Sequence, residues 1–86
     1  MTFDEMYELA VSRKRDMPPG SSTAEMFLRG PHGIGKKLVE EAAESWMAAR
    51  FESNDELAGE LAQVLYYVAC MMAEKGLSLN DVYRQL

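Results

Sequence analysis

Apolar residues recur along this chain at steps of three and four, and nowhere at the alternating step of a strand. Phe3, Met6, Tyr7, Ala10 and Val11 keep that spacing and predict a first helix. Thr2, with Glu5 three residues later, gives it a capping-box start. Pro18-Pro19-Gly20 cannot continue it, so it ends near Asp16. Ser21 or Ser22 caps a short second helix carrying Ala24, Met26, Phe27 and Leu28, closed by Gly30-Pro31. A third helix begins around His32 to Ile34 and runs to about Arg50. The fourth starts at Ser53 or Asn54, in the capping pattern Ser53-Asn54-Asp55-Glu56, and stops at Gly76. Lys75 in its last turn suits the helix dipole. Ser78-Leu79-Asn80-Asp81 opens a last short helix with Val82, Tyr83 and Leu86. There is no internal repeat or low-complexity tract. The pattern implies an all-α, compact helical bundle. Two long helices joined tightly at Phe51 to Ser53, and so antiparallel, carry short flanking helices.

The polar positions matter more than the apolar ones. At about 100° per residue, Ile34, Leu38, Ala42, Ser45, Trp46 and Ala49 share one face of the third helix. Lys37, Glu41, Glu44 and Ala48 form a stripe along its edge, with Glu40 farther round and one turn below Glu44. On the fourth helix Leu57, Leu61, Val64, Leu65, Val68 and Met72 make the apolar face, flanked by Glu56, Glu60, Gln63 and Tyr67. If the two apolar faces meet, the two edge stripes face each other. Most runs of glutamate are simply the solvated flank of a helix. Here Lys37 is the one near basic partner for three glutamates, and surface ion pairs contribute only about 0–1 kcal/mol. Two like charges about 4 Å apart at an effective dielectric near 20 repel by roughly 4 kcal/mol, which a divalent cation turns into attraction. Oxygen-only ligands suit Mg²⁺ or Mn²⁺, ions that usually handle phosphates. The second acidic segment favours a metal site over the solvated flank, and with it a metal-dependent enzyme acting on a nucleotide polyphosphate.

Composition narrows the setting. Eighty-six residues are the length of one domain, 1–86, and a chain this short hides only about 60–65% of its unfolded surface. Yet 48% of the residues are hydrophobic, seven of them Met, an excess that a homodimer or homotetramer resolves. A net charge of −5 argues against nucleic-acid binding, but not against an anionic substrate once a cation is bound. The single cysteine, Cys70, cannot form an internal disulfide and reads as an inert core residue. No signal peptide is visible, and the longest apolar run, Val64 to Ala73, is too short to cross a bilayer. These features imply a cytoplasmic protein that does not engage a membrane.

Several residues have plainer readings. His32, the one histidine, suits a solvated loop better than a phosphate contact, and GPHGIGKK lacks the spacing and the Ser/Thr of a P-loop. Trp46 and Met71-Met72 suit core or subunit-interface packing. Arg13, Lys14 and Arg15 favour the first helix's dipole. Of Tyr66 and Tyr67, either can stack on a base, and one is simply packed.

The chain resembles the phosphoribosyl-ATP pyrophosphatases, the histidine-biosynthesis branch of the all-α, MazG-like nucleotide pyrophosphohydrolases. The resemblance runs from Ser21 onward. Ser21-Ser22-Thr23-Ala24 with Phe27 and Gly30 is similar to the family's opening segment. Lys37-Leu38-Val39-Glu40-Glu41-Ala42-Ala43-Glu44 is similar to its KxxEExxE signature. Glu60 to Tyr66 falls on its ExADLLY segment, and Gly76 to Val82 on its GLSLxDV ending. What the resemblance implies is Mg²⁺-dependent hydrolysis of N1-(5-phosphoribosyl)-ATP to the AMP form and pyrophosphate. By position Glu41, Glu44 and Glu60 become metal ligands, Glu40 and Glu41 the candidate catalytic carboxylates, and Lys37 a phosphate contact. The family's usual Asp is Gln63 here, and the His after its LLY is Tyr67. Gln63 then binds more weakly or through water, on the substrate side. The alternatives are a housecleaning (d)NTP pyrophosphohydrolase, which shares the metal chemistry, and a non-catalytic helical dimerisation module.

Overall fold

The structure is a computed structural model that describes every residue from Met1 to Leu86. Thr2 starts the first helix, α1 (Phe3–Asp16), by reciprocal bonds: its hydroxyl accepts from the Glu5 amide at 3.1 Å, and Glu5 accepts from the Thr2 amide at 2.8 Å. The Ser21 hydroxyl accepts from the Ala24 amide at 3.1 Å and opens α2 (Ser22–Leu28). Two long helices follow, α3 (Gly30–Phe51) and α4 (Asn54–Lys75), and then the short α5 (Leu79–Tyr83). No strand is present.

Most boundaries agree with the pattern of caps and breakers, and α3 is the exception. It begins at Gly30, a turn before the expected His32 to Ile34. Gly30 takes a φ of 70°, which turns the chain out of α2. Pro31 then sits in the first turn of α3, where its missing N–H would have had no partner anyway. The Gly-Pro pair therefore opens α3 as well as closing α2. At the far end of α4, Gly76 (φ 71°) completes a Schellman turn: the Leu77 amide donates to the Met72 carbonyl at 2.9 Å, and the Gly76 amide to Ala73 at 3.3 Å.

Only Glu52 and Ser53 separate α3 from α4, and the two helices lie together along their length. Gly35 near the start of α3 faces Met71 near the end of α4, while Glu41 and Glu44 meet Glu60. Contacts that climb one helix as they descend the other make the pair antiparallel, as expected. Its base is covered by α1 and α2. One core cluster joins all four: Ala10 of α1, Met26 and Phe27 of α2, Ile34 of α3, and Tyr67, Cys70 and Ala73 of α4. Lys14 fixes α1 to α4, its ammonium donating to the Glu74 carbonyl at 2.7 Å beneath the Phe27 ring. α5 is tied back by Tyr83, which donates to Asp4, while Tyr7 donates to the Leu77 carbonyl at 2.7 Å.

The faces of the long helices are rotated from those the apolar pattern suggests. On α3 the buried positions are Ile34, Ser45 and Ala48, with Leu38 and Glu41 half-buried between them. Ala42, Trp46 and Ala49, assigned to the apolar face by hydropathy, are exposed, Trp46 by 75%. On α4, Met72 is buried and Leu57, Val64 and Val68 are half-buried as the pattern expects, but Leu61 and Leu65 are exposed, while Glu60, Tyr67 and Met71 turn inward. The seam between the helices is thus built on the carboxylate stripe, and much of the apolar surface faces outward.

Candidate metal centre and active site

That rotation is what builds the site. Because the α3–α4 seam runs through Glu41 and Glu60, their carboxylates meet between the helices instead of at an outer edge. One oxygen each from Glu41, Glu44 and Glu60 lies within 4.8 Å of the others. Glu41 and Glu60 are half-buried, and Glu44 is exposed at the mouth. The small residues Ser45 and Ala48 let the helices approach there. Ser45 satisfies its buried hydroxyl by donating to the Glu41 carbonyl at 2.9 Å.

No lysine or arginine forms an ion pair with this trio, and the crowding shows in the titration of Glu60. The Glu60 carboxyl is pushed above its ordinary value, chiefly by its hydrogen bond with Glu41, then by burial and by Glu44. The crowding continues toward the helix junction. Glu52 is also raised, mainly by a hydrogen bond with Glu56, with Glu60 and Glu44 adding to it. Glu56 is lowered by Glu52 and by the Ser53 cap. The donor set fits a hard dication. Every donor is an oxygen, so Glu41, Glu44 and Glu60 would hold the ion and supply the negative charge that a hard dication needs.

The other residues singled out by sequence fall around this centre. Glu40 stands outside the trio, its carboxylate accepting from Lys37 at 3.2 Å. That bond, with Tyr67 and Glu41 nearby, raises the Lys37 ammonium above its ordinary value, so it is charged throughout the physiological range. Gln63, one turn beyond Glu60, lines a recess between α2 and α4 instead of the trio. Tyr67 is buried, and Tyr66 lines the same recess, its hydroxyl 2.7 Å from that of Thr23. The Thr23–Tyr66 pair had no signal in the spacing, since it joins helices 43 residues apart. Arg15 is bound to Asp16, and Lys14 to Glu74. His32 is exposed beside Lys36 and Glu40 on the outer side of α3. Cys70 is fully buried and its thiol is pushed up to about 11, chiefly by burial, which leaves it unreactive.

The family described as phosphoribosyl-ATP pyrophosphohydrolase matches residues 3–86. The chain belongs to that family. It is 50% identical to the phosphoribosyl-ATP pyrophosphatase of Streptomyces avermitilis, over 99% of this chain and 96% of the relative. Its identity to the protein of the same name from Streptomyces coelicolor is also 50%, with the same coverage. The phosphoribosyl-ATP pyrophosphohydrolase match takes in α1 as well, where resemblance by motif was loose. The chain is therefore a hydrolase that acts on a pyrophosphate bond. No helix is long and apolar enough to cross a membrane.

Proposed function

We propose that this chain hydrolyses N1-(5-phosphoribosyl)-ATP to N1-(5-phosphoribosyl)-AMP and pyrophosphate, a step of histidine biosynthesis, with Mg²⁺ held by Glu41, Glu44 and Glu60. Mn²⁺ suits the same donors. The observation that carries this is the convergence of those three carboxylates, none of them ion-paired with a base, in a chain of this family. A bound Mg²⁺ supplies charge neutralisation at the phosphate oxygens and a more acidic water.

The chain's own residues do the rest. Glu41, inside the trio, takes the proton of the attacking water. Glu40 holds Lys37 in place. One of the three ammonium hydrogens of Lys37 is used on Glu40, and the others reach a substrate phosphate. A phosphorus–oxygen bond forms to water, the anhydride bond between the α and β phosphates breaks, and pyrophosphate leaves. Gln63 contributes as a neutral contact on the nucleotide side.

Residues 1–86 act as one unit that pairs with copies of itself in the cytoplasm. The support is surface: the chain exposes 5755 Å², against about 5100 Å² for a compact monomer of this mass. Trp46, Met47, Phe51, Leu61 and Leu65 all lie on the outer faces of the hairpin.

A substrate panel tests the activity. Pyrophosphate release from phosphoribosyl-ATP that stops when Mg²⁺ is omitted is the expected result. Prompt release from ATP or another NTP, with phosphoribosyl-ATP untouched, would make the chain a housecleaning pyrophosphohydrolase instead.

A further inference from the structure

The chain has four tyrosines, and three of their hydroxyls are occupied. Tyr7 donates to the Leu77 carbonyl, Tyr83 donates to Asp4, and Tyr66 shares a hydrogen bond with Thr23. Tyr67 makes no such bond, although it is the most buried of the four, with 8% of its surface exposed. A buried phenol usually finds a partner, because an unmet hydroxyl has lost its water and gained nothing in return. Nor is this hydroxyl sealed in. The one side-chain oxygen shut away without a partner is Oε2 of Glu74. The exposure that Tyr67 keeps therefore includes its polar end, on the recess between α2 and α4 that it lines.

The ring itself is held. It belongs to the core cluster and packs edge to face against Tyr66 at 5.0 Å. Lys37 is its neighbour across the α3–α4 seam: Glu40 first, and then Tyr67, raise that ammonium above its ordinary value. Lys37 in turn precedes Glu41 by one turn on the same side of α3. A fixed ring thus presents an idle donor beside a cation, next to the carboxylate trio.

We propose that Tyr67 is a further catalytic residue of the hydrolase: its hydroxyl donates a hydrogen bond to a phosphate oxygen of the substrate, on the side that Lys37 occupies. The inference rests on the hydrolase reading for its substrate class, and on the idle hydroxyl for its geometry. No proton is transferred, and the phenol acts by position alone. Because the ring is already fixed, the donor needs no reorganisation as charge builds on the phosphate. A neutral donor also suits the place. A second ammonium would be repelled by Lys37, whereas a hydroxyl adds a bond to the phosphate without adding charge.

Tyr67→Phe removes that hydroxyl and nothing else. Since the hydroxyl has no partner in the free chain, the variant is expected to melt no lower than wild type. Its kcat/KM for phosphoribosyl-ATP with Mg²⁺ is expected to fall about ten- to a hundredfold, the size of a hydrogen bond to a charged group. Calorimetry with inorganic tripolyphosphate and Mg²⁺, a phosphate chain without base or ribose, is expected to show binding weakened by a similar factor. Tyr67→His fits the core less well but donates through a ring N–H, and is expected to keep more activity than Tyr67→Phe. Packing alone predicts the opposite order. Wild-type kcat/KM and wild-type tripolyphosphate affinity in Tyr67→Phe would overturn the proposal, and so would a Tyr67→His less active than Tyr67→Phe. A chain that binds tripolyphosphate through Tyr67 yet leaves phosphoribosyl-ATP intact keeps the donor and refutes the assigned substrate. Hydrolysis of phosphoribosyl-ATP undiminished in Tyr67→Phe does the reverse.

Discussion

Met17 ends α1 in the left-handed region at φ 45°, the one residue other than glycine to do so. Its amide donates to the Arg13 carbonyl at 2.8 Å, so the turn is needed to close the helix before the two prolines. A side chain in that conformation costs about 1 kcal/mol that glycine avoids. Met17→Gly is therefore expected to raise the melting temperature by about 4–8 °C, the shift that about 1 kcal/mol gives a domain of this size. An unchanged or lower value would mean that the half-exposed Met17 side chain contributes packing of similar size. Short-range chemistry of this sort was legible in the sequence where a residue names its own conformation. Thr2, Ser21, Ser53 and Ser78 all cap where their spacing says. Met17 was not, because a left-handed methionine is set by the chain around it.

Between elements, the site depends on how α3 and α4 are rotated about their axes. Hydropathy alone turned Trp46, Leu61 and Leu65 into the seam, whereas the close approach of two helices selects small residues, here Ser45 and Ala48. The trio itself was legible, since Glu41, Glu44 and Glu60 carry enough spacing information to meet once the helices are antiparallel. Its partial burial was not. The hydrogen bond between Glu60 and Glu41, with that burial adding to it, has a pH signature in the metal-free protein. Glu60 is raised in the fold above its unfolded value, so its charged form opposes folding. The associated stability is present below the ordinary glutamate range and is lost as pH rises through the raised value. Glu60→Gln is thus expected to melt higher than wild type at neutral pH in chelator. The gap should close as the pH falls below the raised value. A variant that melts lower than wild type at neutral pH would show that Glu60 has a compensating cation partner.

The whole molecule is extended for its length. Its radius of gyration is 13.4 Å, against about 12 Å for a compact chain of 86 residues. The hairpin tip extends past α1 and α2, leaving Phe51 68% exposed and Trp46 75% exposed. Sedimentation at micromolar concentration is expected to give a dimer or tetramer, and Trp46→Glu to shift it toward the 9.7 kDa monomer. A wild type that sediments as monomer would leave this apolar surface without a role. The helical class was legible from periodicity, but the unpartnered surface was not, because the sequence does not say which apolar face meets its own chain. The melting temperature, which reads the whole molecule, also tests the metal centre most directly: it is compared with and without Mg²⁺ in wild type and in Glu41→Gln, Glu44→Gln, Glu60→Gln. Wild type is expected to gain roughly 2.7 kcal/mol at about a hundredfold excess of Mg²⁺ over its dissociation constant, and the triple variant nothing. Equal shifts in both proteins, or none in wild type, would contradict a dication held by these three carboxylates.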